Sequence, residues 1–351
     1  MLIENLRTGA TGYIGGQALR EITRAHPGYS IAALIRSRET AERISDTFPK
    51  VRTVVGDLDD AELVEREASE ANVVLRNGAD LNIEEDLAAN KHMKSVESIY
   101  RGLKKKQSSD PVYWIQISGA SGLAAPELAS SSFVPGSASS DIYDDLSGID
   151  DIRALVRAYP SRAVDNYILD VAARNPSIKT ALVWPPVIYG TGEGPGNQRS
   201  IQVPTLARVA VERGHPVKVG EGLNRWNNIH VGDLGRLIGS LADAALGGDQ
   251  RQELWGYNGI YLSAAGEMSF ADLSEKIGRA AREQKLISSE EVEALDPSSA
   301  DTVLPFAKVF YGTNARGKAR RATELFGWKS HEEVLDAEIP KAVAEEARRR
   351  T

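Results

Sequence analysis

Residues 8–16 read TGATGYIGG, a glycine-rich stretch between a short apolar segment and a helix-like segment. Gly9 can adopt backbone conformations that are closed to residues with a Cβ atom. Gly12 lets the chain approach a pyrophosphate, and Gly15 lets the following helix pack closely on a sheet. The free N–H groups and the dipole at the start of that helix favour an anion. The stretch therefore predicts a strand, a tight turn that holds a nucleotide phosphate, and a helix.

Short apolar segments alternate with polar, helix-like segments through the first half of the chain. The apolar segments are 31–35, 51–55, 72–75, 112–117 and 180–183. The helix-like segments are 17–24, 61–69, 84–106 and 150–174. This alternation predicts an α/β fold of the Rossmann type, which is a doubly wound parallel sheet covered by helices on both faces.

The alternation ends near residue 189, where residues 190–196 read GTGEGPG and predict a flexible loop. We expect residues 1–189 to form a dinucleotide-binding Rossmann domain and residues 190–351 to form mainly a smaller substrate-binding lobe. A late strand near 259–263 is expected to return to the main sheet. The segment 129–140 is rich in Ser, Ala, Gly and Pro and predicts a surface loop.

The composition excludes several classes of protein. The 351 residues are 42% hydrophobic, enough for a full core, and the net charge of −7 leaves no basic footprint for nucleic acid. No apolar run approaches the length of a membrane span, so we expect a cytoplasmic protein without a membrane partner. The absence of cysteine and the scatter of the five histidines predict that there is no dedicated metal site.

The stretch TGATGYIGG resembles the fingerprint of the short-chain dehydrogenase/reductase family, in particular its extended and atypical branches, which include sugar-nucleotide epimerases and NmrA-like proteins. Later segments, 229–234 (IHVGDL), 312–316 (GTNAR) and 325–328 (LFGW), resemble the extended branch, so the resemblance covers nearly the whole chain. It implies a nicotinamide dinucleotide cofactor, a small-molecule substrate and a homodimer interface formed by the helical segments 84–106 and 150–174. Within the glycine-rich stretch it implies cofactor contacts from Thr8, Gly9, Thr11, Gly12, Tyr13, Ile14 and Gly15.

The residues that follow the second strand bear on the choice of cofactor. In this fold an acidic residue there binds the ribose 2′-hydroxyl, whereas Arg accommodates a 2′-phosphate. The chain has Arg36 and Arg38 with no carboxylate before Glu39, and guanidinium groups match a phosphate dianion. The pattern therefore favours NADP(H) over NAD(H). The resemblance implies further cofactor contacts at the ends of later strands, from Asp57, Leu58, Asn77, Gly78, Ala79, Ser118 and Pro185.

The resemblance also implies a Ser or Thr after the fifth strand and a Tyr-x-x-x-Lys on the next helix, which polarise and protonate a substrate carbonyl. This chain departs from that arrangement. Ala120 stands at the usual hydroxyl position, with Ser121 one residue later. On the following helical segment, Tyr159-x-x-Arg162 replaces Tyr-x-x-x-Lys.

Three alternatives stay open for the chemistry. Arg162 could replace the Lys as a ribose-binding cation, although a guanidinium is a poor proton relay. Tyr143 could supply the acid from the preceding loop, without a Lys partner. In the third alternative the usual chemistry is absent, and the bound dinucleotide serves sensing or a reaction without net redox. The catalytic candidates are Ser121, Tyr159, Arg162 and Tyr143.

The second part of the chain predicts an apolar substrate pocket. Segment 183–190 (VWPPVIYG) resembles the family's turn toward the substrate, with Trp184 where Arg is common, and basic contacts to a sugar-nucleotide diphosphate are not evident. The expected substrate contacts are Tyr189, Ser200, Gln202, Trp226 and His230, and a structural role is favoured for His230. The leading function is an NADP(H)-dependent reductase of a small, largely apolar carbonyl or imine metabolite. The alternatives are an NmrA-like redox sensor without turnover and a non-redox lyase, isomerase or cyclase.

Overall fold

The computed structural model describes residues 4–77, 92–106 and 110–350. Its strands are β1 (Glu4–Thr8), β2 (Ser30–Ile35), β3 (Val51–Val55), β4 (Val73–Arg76), β5 (Val112–Ile117), β6 (Tyr143–Asp144), β7 (Ile178–Trp184), β8 (Val187–Tyr189), β9 (Val217–Val219), β10 (Arg225–His230), β11 (Ile260–Leu262), β12 (Gly266–Ser269), β13 (Glu293–Leu295) and β14 (Gly317–Lys318). Its α-helices are α1 (Tyr13–Ala25), α2 (Arg38–Thr47), α3 (Ala61–Glu70), α4 (Met93–Lys105), α5 (Ala125–Ala129), α6 (Ile149–Ala158), α7 (Ala163–Arg174), α8 (Gln202–Arg213), α9 (Val231–Leu246), α10 (Phe270–Glu283), α11 (Ala307–Phe310), α12 (Arg321–Phe326) and α13 (Leu335–Arg350). Short 3-10 helices occupy Ala120–Ala124, Gly256–Asn258 and Ala300–Thr302.

Seven of the described strands form one sheet in the order β3-β2-β1-β4-β5-β7-β11. Every neighbouring pair in this sheet is parallel. The strand order reverses between β1 and β4, which is the point where open α/β sheets bind ligands beyond the carboxyl ends of their strands. The topology confirms the predicted doubly wound Rossmann sheet. The pairing of β11 with β7 confirms the predicted late strand.

Helices and hydrophobic clusters cover both faces of this sheet. Along β5, Trp114 belongs to one buried cluster, whereas Tyr113 and Ile115 belong to the other. Because successive side chains of a strand point to opposite faces, the two clusters lie on opposite sides of the sheet. The second cluster joins Leu19 of α1 to Leu237 of α9, so a helix from the second half of the chain packs on the first helix.

The predicted helix 150–174 is wrong as a single element. Helix α6 ends at Ala158 and α7 begins at Ala163. Pro160 lies between them, and proline lacks a backbone N–H and disfavours helical geometry at the residue before it. For the predicted helix 84–106, α4 accounts for the later part, and residues 84–91 lie outside the described residues.

The second half of the chain adds a smaller set of elements beside the main sheet. Strand β10 pairs with β8 in parallel and with β12 antiparallel. Helices α8, α10 and α13 pack on one another next to this small sheet. The segment predicted as a surface loop contains no strand, and α5 ends at Ala129 where that segment starts. Within the described ranges, no helix combines the length and apolar character that a membrane crossing requires.

Candidate active site

The turn between β1 and α1 is shaped by contacts between backbone atoms. Gly9 has a φ of +72°, in the left-handed region that favours glycine. A Cβ atom on Gly9 would lie 2.8 Å from the carbonyl oxygen of Asn77, and a Cβ atom on Gly15 would collide with the carbonyl group of Gly9. The Gly9 carbonyl also accepts a hydrogen bond from the N–H of Gly12, at 3.0 Å. The turn therefore needs glycine at positions 9 and 15.

Helix α1 begins without a side-chain cap. Gly12 precedes the helix in an extended conformation, and among the described residues no side chain accepts a hydrogen bond from its first N–H groups. Such N–H groups, together with the helix dipole, attract an anion. The Thr8 hydroxyl donates to the carbonyl of Asn77 at 3.3 Å and ties the end of β1 to the end of β4. The turn thus fits the pyrophosphate of a dinucleotide.

A segment from the second half of the chain, residues 190–197, lies directly on this turn, and we call it the covering loop. A Cβ atom on Gly194 would lie 2.6 Å from the Cα of Gly16, so the two backbones touch. The N–H of Asn197 donates to the carbonyl of Thr11 at 2.8 Å. The contact leaves no room for a side chain on Gly194, and a Cβ atom on Gly16 would lie only 3.1 Å from the Cα of Gly194.

Side chains of α1 add further bonds to the covering loop. The Tyr13 hydroxyl donates to the carbonyl of Gly190 at 2.6 Å. The N–H of Glu193 donates to Oε1 of Gln17 at 2.8 Å, and the Glu193 carboxylate pairs with Arg20 at 2.9 Å. Tyr13, predicted as a cofactor contact, therefore has its hydroxyl engaged in fixing the loop to the helix.

The end of β2 is basic and open to solvent. Arg36 and Arg38 are both exposed. Between them, the Ser37 hydroxyl accepts a hydrogen bond from the N–H of Thr40 at 3.2 Å and caps α2. The cap fixes the backbone conformation between the two arginines.

Residues at the ends of β3 and β4 continue the same edge of the sheet. Asp57 is exposed, and its carboxylate accepts a hydrogen bond from the N–H of Asp59 at 2.9 Å. Leu58 is half-buried against the core, and Asn77 is buried behind the glycine-rich turn. The predicted contacts Gly78 and Ala79 lie outside the described residues.

A buried ion pair lies where β5 and β7 end, and we call it, with the groups that contact it, the Arg162 cluster. Nε of Arg162 donates to Oδ2 of Asp165 at 2.8 Å, and Nη2 donates to the Ser118 hydroxyl at 2.7 Å. The guanidinium carbon lies 5.3 Å from the centre of the Trp184 ring, a cation–π distance. Arg162 is 8% exposed and Asp165 is 1% exposed. A cation so paired and stacked is fixed in place.

Comparisons with known proteins agree with this geometry. Residues 9–106 match a family model described as NAD(P)H-binding. Over 347 residues the chain is 31% identical to the oxidase ucsJ of Acremonium sp., and the alignment covers 97% of this chain and 96% of the oxidase. The chain belongs to the extended short-chain dehydrogenase/reductase family. A more distant relative is an uncharacterised protein of Saccharomyces cerevisiae, 25% identical over 237 residues, or 66% of this chain and 67% of the yeast protein.

Two solved structures share the fold. The dTDP-glucose 4,6-dehydratase DesIV of Streptomyces venezuelae superposes with a TM-score of 0.69 at 14% identity, covering 99% of this chain and 98% of the dehydratase. The UDP-glucose 4-epimerase of Thermotoga maritima superposes with a TM-score of 0.64 at 14% identity, covering 99% of each chain. Likenesses at this identity concern the fold and confirm the predicted Rossmann architecture.

This family member does not place its tyrosine and its cation on one helix. Tyr159 follows the last residue of α6, and Arg162 precedes the first residue of α7. The expectation of one helix for Tyr159 and Arg162 is therefore wrong, because Pro160 breaks the segment. Tyr159 packs against the core, half-buried.

The other two catalytic candidates lie on nearby segments. Tyr143 is half-buried in β6, where burial first and then the negative charge of Asp141 raise the pKa of its hydroxyl. Charge on Tyr159 would raise that pKa as well, so the two tyrosines lie near each other. Ser121 lies in the 3-10 helix after β5, and no described residue forms a hydrogen bond with its hydroxyl. The Pro185 carbonyl accepts a hydrogen bond from the N–H of Ala120 at 2.8 Å and holds this turn against the end of β7.

The side chains of the five predicted substrate contacts already form hydrogen bonds with other residues of the protein. The Tyr189 hydroxyl donates to the Glu333 carbonyl at 3.0 Å, the Ser200 hydroxyl donates to the Ile188 carbonyl, Gln202 Nε2 donates to the Phe310 carbonyl at 3.0 Å, Trp226 Nε1 donates to the Thr313 carbonyl at 2.8 Å, and His230 Nδ1 accepts from the Gly232 N–H at 3.1 Å. His230 thus caps α9, the structural role that the sequence favours for it. All five residues stabilise the second half of the chain.

Two buried charged residues escaped the sequence reasoning. Arg76, at the end of β4, is fully buried, and its Nη2 donates to the Ser95 hydroxyl at 3.1 Å. Burial lowers the pKa of Arg76 to about 10, and the charge of Asp165 acts in the opposite direction. The sequence spacing could have identified Asp165 as the partner of Arg162, because side chains three residues apart lie together on a helix.

Proposed function

We propose that this chain is an NADP(H)-dependent oxidoreductase that acts on a small, largely apolar carbonyl or imine compound. One observation carries the proposal: the uncapped start of α1 and the Arg162 cluster lie at the same edge of the sheet. The start of α1 follows β1, and the Arg162 cluster lies where β5 and β7 end. Strand β4 lies between β1 and β5 in the sheet. Ligands of open α/β sheets bind along this edge, so a dinucleotide that starts at the turn would end at the cluster.

The residues of the site would divide the work as follows. The N–H groups of the turn bind the pyrophosphate, Arg36 and Arg38 bind a 2′-phosphate, and Asp57 accepts a hydrogen bond from adenine. When bound, the cofactor supplies the reducing equivalent. The name of the Acremonium relative, an oxidase, supports redox chemistry on this scaffold. Residues 190–351 would contribute most of the substrate pocket.

Tyr143 is the first candidate for the proton donor. A tyrosine hydroxyl is protonated at neutral pH, and burial raises the pKa of Tyr143 further, so this side chain keeps the proton that it would donate to a substrate oxygen or nitrogen. Ser121 and Tyr159 are the alternatives, and Arg162 would act through its charge rather than by proton transfer.

The cofactor preference is tested by fluorescence titration of NADPH and NADH against the wild-type chain, Arg36→Ala and Arg38→Ala. We expect NADPH to bind more tightly than NADH, and at least one substitution to weaken NADPH binding about tenfold without affecting NADH. NADPH oxidation with a panel of ketones, aldehydes and cyclic imines then tests the reaction. Equal affinity for the two cofactors would refute the preference, and tight binding without oxidation across the panel would refute the reaction.

A second candidate function is dinucleotide binding without turnover, as in a redox sensor. The break at Pro160 favours it, because Tyr159 and Arg162 then do not project from one helix as the family's proton donor and cation do. A sensor should bind the reduced and oxidised cofactors with clearly different affinities and leave both unchanged. A non-redox lyase, isomerase or cyclase would instead convert substrate with no change in cofactor absorbance.

A further inference from the structure

The guanidinium of Arg162 has one nitrogen that the protein does not use. Nε binds Asp165, and Nη2 binds Asp165, the Ser118 hydroxyl and the carbonyl of Gly119. Among the described residues nothing accepts a hydrogen bond from Nη1, and this atom keeps some access to solvent. The cluster therefore keeps one charged nitrogen, with two N–H donors that no described residue accepts from, at the edge of the sheet where ligands bind.

Asp165 and Trp184 leave this donor little freedom. The carboxylate holds Nε and Nη2 from one side, at 2.8 and 2.6 Å, while the ring of Trp184 covers the face of the guanidinium. Gly122 packs directly on both groups, since a Cβ atom there would lie 2.8 Å from the Trp184 ring and 3.3 Å from the guanidinium carbon. A donor that is fixed before a ligand arrives needs no reorganisation when charge develops in front of it.

We infer that Asp165 is a positioning residue that aims Nη1 of Arg162 at the reacting oxygen of the substrate, and that the fixed cation selects carbonyl compounds over imines. The inference rests on the proposed function and narrows its substrate class. It also gives the cation a role that differs from proton transfer, because Arg162 stays charged throughout.

The chemistry of the two substrate classes explains the selection. When a carbonyl is reduced, the carbon receives a hydrogen with its electron pair from the reduced cofactor, and the oxygen accumulates negative charge before a proton reaches it from Tyr143, Tyr159 or water. A guanidinium at that oxygen stabilises the developing charge. An imine is reduced as its protonated, cationic form, and a fixed cation next to its nitrogen repels that form. The same Nη1 group therefore favours one class and disfavours the other.

The test compares cyclopentanone with the ring-matched imine pyrroline in the wild-type chain, Arg162→Gln and Asp165→Asn. We expect the wild type to prefer the ketone. Arg162→Gln should lower kcat/KM for the ketone about 100-fold, mainly through kcat, and leave that for the imine unchanged or raise it, because the repelling charge is gone. Asp165→Asn should lower the ketone value about tenfold with little change in KM. A loss of Arg162 that affects both substrates equally, or a wild-type preference for the imine, would overturn the inference.

Controls separate positioning from folding. Arg157→Gln removes an arginine that pairs with Asp170 at 2.8 Å on the surface of the same helix pair, and it should leave the substrate ratio unchanged. If Arg162→Gln fails to fold because Asp165 is left unpaired, the double variant Arg162→Gln, Asp165→Asn removes both charges and should show the same shift in ratio. In the wild type the Arg162 Nε–H should give a slowly exchanging NMR signal, which Asp165→Asn should abolish.

A binding experiment keeps the inference testable even if no substrate turns over. Cyclopentanecarboxylate and pyrrolidinium are titrated into the NADP⁺ complex as probes of opposite charge. We expect the anion to bind, the cation to be rejected, and Arg162→Gln to remove the difference. Failure of turnover with these two compounds and across the panel would refute the proposed function alone, whereas equal or absent binding of both ions in the wild type would refute the charge selection.

Discussion

The two ends of the candidate cofactor site are built from different parts of the chain. At the turn, Gly9 and Gly15 make room for backbone atoms, and the binding groups are N–H groups. At the Arg162 cluster, the contacts are between side chains that lie just after β5, at the start of α7 and at the end of β7. A site made of backbone depends on the absence of a Cβ atom and allows little substitution. A site made of side chains can be rebuilt from other residues, as the guanidinium and carboxylate here show.

The largest effect that separates the two ends is expected for Gly15→Ala. The new Cβ atom would meet the Gly9 carbonyl, a backbone group that cannot move without reshaping the turn. We expect a loss of about 4 kcal/mol in the free energy of unfolding and a fall in NADPH affinity of about 100-fold. Thermal unfolding and fluorescence titration measure both.

The control for that change is Gly239→Ala. Gly239 lies in α9 with nothing within 4 Å of the position of a Cβ atom, and alanine in a helix is more favourable than glycine by about 1 kcal/mol. The Tm of Gly239→Ala should stay constant or rise. Unchanged NADPH binding by Gly15→Ala would show that the turn does not depend on the missing side chain.

A buried carboxylate outside both ends, Asp145, should give the fold a pH dependence that neither the turn nor the Arg162 cluster supplies. The Asp145 carboxylate, which joins β6 to β11 and α12, accepts hydrogen bonds from the N–H groups of Leu262, Arg320 and Arg321. Burial raises the pKa of Asp145 to about 6. Since the unfolded value is about 4, the folded chain binds more protons in this interval, and stability falls as the pH rises through it.

Denaturant unfolding of the wild type and Asp145→Asn between about pH 4 and pH 7 tests this pH dependence. The advantage of the wild type over the variant should shrink by roughly 2–3 kcal/mol as the pH rises, because only the wild type titrates. A difference in unfolding free energy that stays constant over this range would contradict the raised pKa.

A smaller effect is expected for Tyr13, the side chain of α1 that binds the covering loop. Tyr13→Phe removes the hydroxyl bonds to the carbonyls of Tyr189 and of Gly190 in the covering loop, and should cost about 1–1.5 kcal/mol of unfolding free energy. Hydrogen exchange of residues 190–197 should speed up selectively. Tyr257→Phe is the control, because this tyrosine is 45% exposed and should tolerate the change. Equal protection of the covering loop in Tyr13→Phe would show that its backbone contacts suffice.

The smallest effect is expected for Asp57→Asn. The asparagine oxygen can still accept the hydrogen bond from the N–H of Asp59 and one from adenine, so the turn after β3 is kept. NADPH affinity should fall less than about threefold. A fall of more than about tenfold in the same titration would mean that the charge of Asp57, and not its geometry, contributes to binding.

Most of the fold could be predicted because its signals are local. Strand β5 is buried at every position and coincides with its apolar segment, as does β3 with the segment 51–55. The glycine spacing of the turn also lies within one short stretch, and the structure gives Gly9 and Gly15 the close contacts that the spacing requires. The division of 150–174 into two helices was missed, although Pro160 marks it.

The Arg162 cluster could not be derived in the same way, because it depends on contacts between distant residues. Ser118 and Arg162 are 44 positions apart, and only the fold shows that they bind each other. The same holds for the predicted substrate contacts: the hydroxyl of Tyr189 is satisfied by Glu333, 144 positions away. A sequence pattern gives the type of a polar group but not whether the protein already uses it.

The covering loop has a consequence for building chimeras within this family. Gly194 and Gly16 meet backbone to backbone, so neither surface has a rotamer that could adjust to a foreign partner. A substrate half taken from a relative would fit this first half only if its own loop presented glycine at the matching point. An exchange of the second half at residue 189 must therefore also match the first turns of α1, which contact the covering loop.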